Sequence, residues 1–360
     1  MPTPTSFAIA GAGLAGSLLA WRLLEHANDH SRASANPQPI RLTLFEKGRL
    51  DQPRSAAHTA AAMISPLSEV VVSERAIYDM GMHSLQLWPQ WLAQLNAHSE
   101  LAVSYNNRGS LVVAHPSDDS ELEQFSQDLR YHLGEQNTAQ WLTRTQLSER
   151  EPDLSRQFNR GLLLPDEAFL DNRQLLRNLH RRIEALGGSI AQNSDVTFEP
   201  EAMLNGKPLQ GFDCVIDARG TGAKQSQSVR GVRGEVLWVQ TPEVNLQHAV
   251  RLMHPRYKLY IVPKPNNCFI VGATEIESQD SSPVSVQSMM ELCSALYTLN
   301  PAFAEARIVE LDANLRPSYL DNMPAITWNA LGDTVSINGL YRHGYLLAPH
   351  LIDALIKQLV

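Results

Sequence analysis

Gly11-Ala12-Gly13-Leu14-Ala15-Gly16 follows the apolar run Phe7-Ala8-Ile9-Ala10 and leads into Leu18, Leu19, Leu23 and Leu24. A strand, a glycine turn and a helix start in that order make a cradle for phosphate. Gly11 permits the tight turn, Gly13 lets a pyrophosphate approach the backbone, and Gly16 lets helix and strand pack closely. The helix N-terminus adds amide donors and the positive end of its dipole. Glu46, which ends the apolar run Arg41 to Phe45, is suited to accept hydrogen bonds from ribose hydroxyls. Its separation from the glycines exceeds the usual ~20 residues. The polar, proline-punctuated stretch 27–39 accounts for the excess as a surface insertion. These residues imply a dinucleotide, and alone they do not separate NAD from FAD.

Three further segments favour a flavin. Thr59-Ala60-Ala61-Ala62-Met63 offers small side chains and backbone amides suited to close approach by a flat ring. Asp217-Ala218-Arg219-Gly220 ends a later strand, where a glycine would pass under the dinucleotide. Gly339-Leu340-Tyr341-Arg342-His343-Gly344-Tyr345-Leu346-Leu347-Ala348-Pro349 reads as a loop opening the final helix, Leu351 to Leu359. The N-terminus of that helix would face the flavin pyrimidine ring and stabilise the anion formed on reduction.

In this order the segments resemble the FAD-dependent D-amino-acid oxidase family, and within it the glycine oxidases of thiamine biosynthesis. The matching residues are Gly11 to Gly16, Ala60 to Met63, Tyr260-Ile261-Val262-Pro263, Gly272-Ala273-Thr274, Leu315-Arg316-Pro317 and Tyr341 to Pro349. The resemblance covers nearly the whole chain. It implies an FAD domain assembled from several segments, with a sheet-rich substrate domain over the flavin. It implies that Tyr260 lies beside the substrate, that Arg316 clamps its carboxylate, and that Arg342 sits near the flavin and the active site. The expected cofactor contacts extend from Gly11, Ala12, Gly13, Leu14, Ala15, Gly16 and Glu46 through Thr59, Ala60, Ala61 and Met63. They continue with Val196 and Gly220, then Arg342, His343, Gly344, Tyr345 and Leu346. The implied reaction is oxidative deamination of a small amino acid or amine, giving an imine and, if oxygen is the acceptor, hydrogen peroxide.

The residues agree with that chemistry. A planar guanidinium matches a carboxylate with two parallel hydrogen bonds. Once the carboxylate is fixed, the Cα–H can be aimed at a flavin, so positioning does most of the work and no Ser-His-Asp or metal set is required. His343 and His58 read as hydrogen-bonded loop histidines rather than bases. Cys214, Cys268 and Cys293 read as core residues, so the FAD is expected to be noncovalent. Two positions depart from the family pattern. Glu275 follows Gly272-Ala273-Thr274, where glycine oxidases tend to carry an apolar side chain, and Arg219 is bulkier than the residue usual before Gly220. If Glu275 faces the pocket with a free charge, it repels a second carboxylate and favours neutral or basic amines.

The elements that would hold these residues give an α/β fold. A Rossmann-like FAD-binding domain is expected from 1–90, 150–225 and 325–360, and a sheet-rich (α+β) substrate domain from 91–149 and 226–324. Helices are expected over 14–26, over Glu74 to Trp88 with an end or kink at Pro89, over Ser120 to Leu133, and after the N-cap Asp171. The last of these stops at Gly187-Gly188, and its arginines (Arg173, Arg177, Arg181, Arg182) read as a solvated face. Strands are expected at Gly109 to Ala114, Phe212 to Ala218, Gly234 to Val239, Leu259 to Val262 and Phe269 to Gly272.

At 360 residues the chain is long enough for about two domains. Its net charge of -8 argues against broad nucleic-acid binding. No apolar run approaches the ~18 residues of a membrane span, and the three scattered cysteines suit a reduced, cytoplasmic setting. Homo-oligomerisation stays open. So do three rivals: a dehydrogenase feeding a quinone or carrier, a tRNA-modifying flavoprotein, and a non-enzymatic flavin-binding protein.

Overall fold

The computed structural model describes every residue except 1–4, 34–39, 155, 200, 256 and 257. One layer is a six-stranded sheet containing β1 (Ser6–Ala10), β2 (Arg41–Phe45) and β3 (Cys214–Asp217). Its order is Ala325–Trp328, Thr334–Asn338, β3, β1, β2 and Ser189–Ala191. Every pairing is parallel except that of the outermost strand Ala325–Trp328. Phe7 to Ala10 are buried, so β1 is a continuous apolar run rather than an alternating one. Helix α1 (Leu14–Ala33) buries Leu18, Leu19 and Leu23 completely in the same core. The β1–α1 turn works because Gly11 adopts φ +101° and a Cβ on Gly16 would lie only 2.0 Å from the Gly11 oxygen.

The second layer is an eight-stranded sheet built on β4 (Arg230–Gln240), β5 (Lys258–Lys264), β6 (Cys268–Gly272) and β7 (Arg307–Ser318). From the β7 edge the order is β7, β4, β6, β5, Ala249–Met253, Ser110–Ala114, Arg160–Leu164 and Gln140–Thr143. Only the pairing of Ala249–Met253 with Ser110–Ala114 is parallel. Arg160–Leu164 falls here, although its position in the chain grouped it with the nucleotide-binding segments. Gly161 to Leu164 are all buried, which suits a strand enclosed between two neighbours.

Three helices differ from their expected limits. Helix α1 continues through Ala33, so much of the supposed insertion is helical; 34–39 lie outside the described residues. Helix α2 (Arg75–Asn96) does not end at Pro89 but continues past it, because its buried stripe of Ile77, Trp88, Leu92 and Leu95 outweighs one lost hydrogen bond. The helix capped by the Asp171 carboxylate, α3 (Asn172–Ala185), has the expected start and stop. Its arginines do not form one solvated face. Arg173 pairs with Glu310 through both terminal nitrogens and lies 4.0 Å from the centre of the Trp238 ring. Arg182 binds the buried Glu25 at 2.7 Å, while Arg177 and Arg181 are exposed.

The last helix, α4 (Gly344–Leu359), begins earlier than expected and takes Pro349 into its interior. Proline offers no N–H to the carbonyl four residues back. Trp88 of α2 supplies the missing donor, its Nε1 reaching the Tyr345 carbonyl at 2.8 Å. That bond locks the start of α4 to the body of the protein. Among the described residues no helix is long and apolar enough to cross a membrane.

Candidate active site

A cavity of about 700 Å³ lies between the two sheets and is reached by both ends of the chain. Gly11, Gly13, Leu14 and Ala15 line it at the start of α1, and Gly344, Tyr345 and Leu346 line it at the start of α4. The first turn of α1 carries no acid, and His343 places no side-chain cap on α4, so amide donors at both helix starts stay open to a ligand. Glu46, Val196 and Gly220 also lie on the wall. Ala12 and Gly16 do not. Ala12 donates its N–H to Glu46 Oε2 at 3.0 Å, and Gly16 serves the close packing of turn and helix. Glu46 Oε1 takes the Gly48 N–H at 2.9 Å, which fixes the carboxylate with lone pairs to spare for hydroxyl donors.

Thr59 to Met63 line the middle of the cavity, held from behind by polar anchors. Thr59 Oγ1 donates to Asp312 at 2.7 Å, and Asn172 Nδ2 donates to the carbonyls of Ala57 and His58. Lys264 Nζ reaches the carbonyls of Ala61 at 2.8 Å and Leu170 at 2.5 Å, clamping the loop to the sheet. Burial pulls the Lys264 ammonium down to about 7, with Asp171 opposing and Arg173 assisting. The unfolded chain keeps that proton to about 10.4. Between these values unfolding takes up a proton, so stability rises with pH across the window. Relative to Lys264→Met, the wild type should gain roughly 1–2 kcal/mol of unfolding free energy between pH 7 and 9. Urea unfolding at the two pH values checks this, and parallel pH dependences would refute it.

The four residues expected at the substrate end, Arg316, Tyr260, Arg342 and Glu275, all line the cavity. Arg316 comes from β7 and lies flat across β4. A Cβ on Gly234 would stand 2.3 Å from its Nη2, so only glycine leaves room for it. Its Nη1 and Nη2 both donate to the Thr274 carbonyl at 3.1 Å. The Tyr260 ring of β5 crosses Gly272 of β6, where a Cβ would meet the phenol at 2.9 Å. Burial raises the Tyr260 phenol above its ordinary range, and Arg316 and Arg251 pull the other way.

Glu275 reaches the cavity, but its charge is not free. Tyr341 donates its hydroxyl to Oε1 at 2.6 Å, and Arg342 Nη1 donates to Oε2 at 2.9 Å. Burial alone would raise the Glu275 carboxyl; Tyr341, Arg342 and Arg316 outweigh it and hold it below its usual range. The expected repulsion of a second carboxylate is therefore cancelled by the adjacent guanidinium. Arg219, the other departure, turns to Asp217, which accepts at 2.8 and 2.7 Å, and reaches the Val196 carbonyl at 2.9 Å. It ties one wall of the cavity together.

Two residues at this site escaped the sequence reading. Glu69 Oε2 pairs with Arg342 at 2.8 Å and with His343 Nε2 at 2.9 Å, and its Oε1 faces Arg251 at 3.9 Å. Burial pushes the Glu69 carboxyl up, yet His343, Arg342 and Arg251 together hold it far below the carboxylate range. Glu69 is the only charged side chain between His58 and Glu74, and Arg251 interrupts the apolar run Ala249 to Met253. An isolated charge in an apolar stretch was the cue available for both. His343 is a hydrogen-bonded loop histidine, as expected. His58 is half-buried outside the main cavity, and burial lowers its affinity for a proton. No cysteine is among the cavity-lining residues, and no group of three or more His, Cys, Asp or Glu that could hold a metal occurs among the described residues.

A family model described as FAD dependent oxidoreductase matches residues 6–356. A Rhizobium etli protein with the provisional name thiamine biosynthesis oxidoreductase ThiO is 37% identical over 98% of this chain and 95% of its own length. The bifunctional protein ThiO/ThiG of Trichormus variabilis is 26% identical over 83% of this chain, which spans only 46% of that protein. The crystal structure of glycine oxidase from Geobacillus kaustophilus superposes with a TM-score of 0.81 at 24% identity, covering 99% of this chain and 94% of that one. A glycine-turn cradle and open helix starts on the wall of one cavity are what such a cofactor requires, and the family match spans them all: the chain belongs to the FAD-dependent oxidoreductases of the D-amino-acid oxidase type.

Proposed function

We propose that this protein oxidises the C–N bond of a small amino acid or amine to an imine, in the manner of the glycine oxidases it resembles. The observation that carries the reading is Arg316: a guanidinium given its place by Gly234, in the same cavity as the dinucleotide cradle, bonded among the described residues to carbonyl oxygens. In this reading the FAD would rest on Gly11 to Ala15, Glu46, Thr59 to Met63, Val196, Gly220 and Gly344 to Leu346. When bound, it supplies the acceptor for the substrate's Cα hydride.

The chain's own groups do the rest. Arg316 turns from the Thr274 carbonyl to take the substrate carboxylate, a charge-assisted fork that fixes the direction of the Cα–H bond. Tyr260 closes the side of the pocket with a neutral phenol, since burial opposes its ionisation. Arg342, held between Glu69 and Glu275, keeps a fixed positive charge at the pocket edge. The amides that open α4 favour negative charge nearby. The name of the Rhizobium etli relative suggests thiamine biosynthesis as the setting for the imine product.

Anaerobic mixing of the purified, FAD-loaded protein with glycine, sarcosine, D-alanine and simple amines tests the proposal. Bleaching of the flavin absorbance is expected with at least one amino acid. A flavin that stays oxidised against the whole panel would overturn it. Oxygen uptake with peroxide release then separates an oxidase from a dehydrogenase that uses another acceptor. The net charge of -8 gives no support to a tRNA substrate.

A further inference from the structure

Three guanidinium groups line the substrate end of the cavity, and they differ in what they hold. Arg342 is flanked by two carboxylates, Glu69 at 2.8 Å and Glu275 at 2.9 Å. Among the described residues Arg316 donates to the carbonyl oxygens of Thr274 and Arg233 alone. Arg251 has one carboxylate neighbour, Glu69 Oε1 at 3.9 Å, too far for a hydrogen bond. Among the described residues its buried Nε finds no acceptor.

Nearby acids cannot fill the gap. Glu69 is already committed to Arg342 and His343 through Oε2. Glu167, whose charge also acts on Arg251, accepts the Ser68 N–H at Oε1 (2.7 Å) and the Ser110 hydroxyl at Oε2. Arg251 keeps 22% of its side chain exposed on the cavity wall, where a ligand carboxylate can reach the guanidinium.

Strand geometry aims Arg251 at the same space as the substrate. Its neighbours Val250 and Leu252 are buried in the sheet, so the side chain of Arg251 projects to the opposite face. There it pairs across the ladder with Tyr260, whose phenol lies in the fields of both Arg251 and Arg316. Arg316, bonded to carbonyl oxygens, and Arg251, whose Glu69 partner lies beyond hydrogen-bond reach, therefore flank one tyrosine. We infer that Arg251 is a second carboxylate-recognition point, and that the preferred substrate is an amine bearing two carboxylates, one held by Arg316 and the other by Arg251. Glu275 does not oppose this, because Arg342 and Tyr341 occupy both of its oxygens. The inference rests on the amine-oxidation reading above and narrows its substrate class.

The test uses FAD-loaded wild type, Arg251→Met and Arg251→Lys. Acetate, malonate and succinate serve as unreactive probes, their dissociation constants read from the perturbed flavin absorbance. The wild type should bind the better dicarboxylate at least tenfold more tightly than acetate. Arg251→Met should lower that ratio at least tenfold, and Arg251→Lys, which keeps the charge without the fork, should fall between. A wild-type ratio near one overturns the inference even if the methionine variant fails to fold. A ratio unmoved by Arg251→Met also overturns it, leaving Arg251 as a partner of Glu69 alone. In parallel, kcat/KM for glycine and D-aspartate is compared. If both leave the flavin oxidised while the dicarboxylate preference and its loss in Arg251→Met persist, the amine-oxidation reading falls and the second anion point stands. If amines bleach the flavin while the ratio is one, only the second point falls.

Discussion

Arg316→Ala should leave the flavin spectrum intact and remove most turnover of amino acids. The side chain faces the pocket from β7, apart from the glycine turn that would hold the dinucleotide, so cofactor retention should not depend on it. Charge-assisted hydrogen bonds are worth roughly 1.5–3 kcal/mol each. Losing a two-bond fork should therefore cost about 3–6 kcal/mol of transition-state binding, on the order of 10²–10⁴ in kcat/KM. A simple amine has no carboxylate to lose and should suffer far less. The check is kcat/KM for an amino acid and for its decarboxylated amine, in wild type and variant. An amino acid oxidised by Arg316→Ala at the native rate would make Arg316 a structural prop for the Thr274 loop.

Glu69→Gln should be among the most destabilising single substitutions near the cavity. Glu69 is the shared counter-charge of Arg342 and Arg251, lies 2.9 Å from His343 Nε2, and has a side chain 13% exposed. Removing one member of a buried ion pair typically costs about 3–5 kcal/mol, because the remaining charges lose their compensation. The sign with pH follows from the lowered carboxyl. A depressed acid contributes its full stabilisation above the unfolded value of about 4.3 and loses it as pH falls toward the folded value. The gap between wild type and variant should thus be constant from pH 8 to about 5 and shrink below about 4.3. Urea unfolding at pH 7 and pH 4 measures it. A gap under about 1 kcal/mol at pH 7 would show that solvent already compensates Arg342.

Much of the cofactor end was legible because its rules are local. A strand, a glycine turn and a helix follow one another within residues 6–16, and Gly11 and Gly16 each have a steric reason that the pattern anticipates. The same holds for Asp171, whose carboxylate caps α3 through the N–H groups of Arg173 and Gln174. The substrate end was legible only in part. Tyr260, Arg316 and Arg342 were reached through resemblance, while Glu69 and Arg251 acquire meaning from contacts between segments far apart in the chain. Glu275 shows the limit best. Its place at the pocket could be read from its position after Thr274, but the pairing that cancels its charge comes from Tyr341 and Arg342. The misread helix limits share a cause. Pro89 and Pro349 look like stops to local rules, and tertiary packing overrides both.

The bond between Trp88 and the Tyr345 carbonyl has a consequence for how the molecule is made. During synthesis β1 meets β2 early, but its other neighbour, β3, emerges some two hundred residues later, and the start of α4 later still. Until then the glycine turn has a floor and no roof. A ribosome-bound chain that stops short of residue 346 should lack a closed cofactor cavity and leave the apolar flanks of α1 and α2 that α4 covers open to solvent. Flavin retention should then require α4, because Gly344, Tyr345 and Leu346 complete the cavity wall opposite the glycine turn.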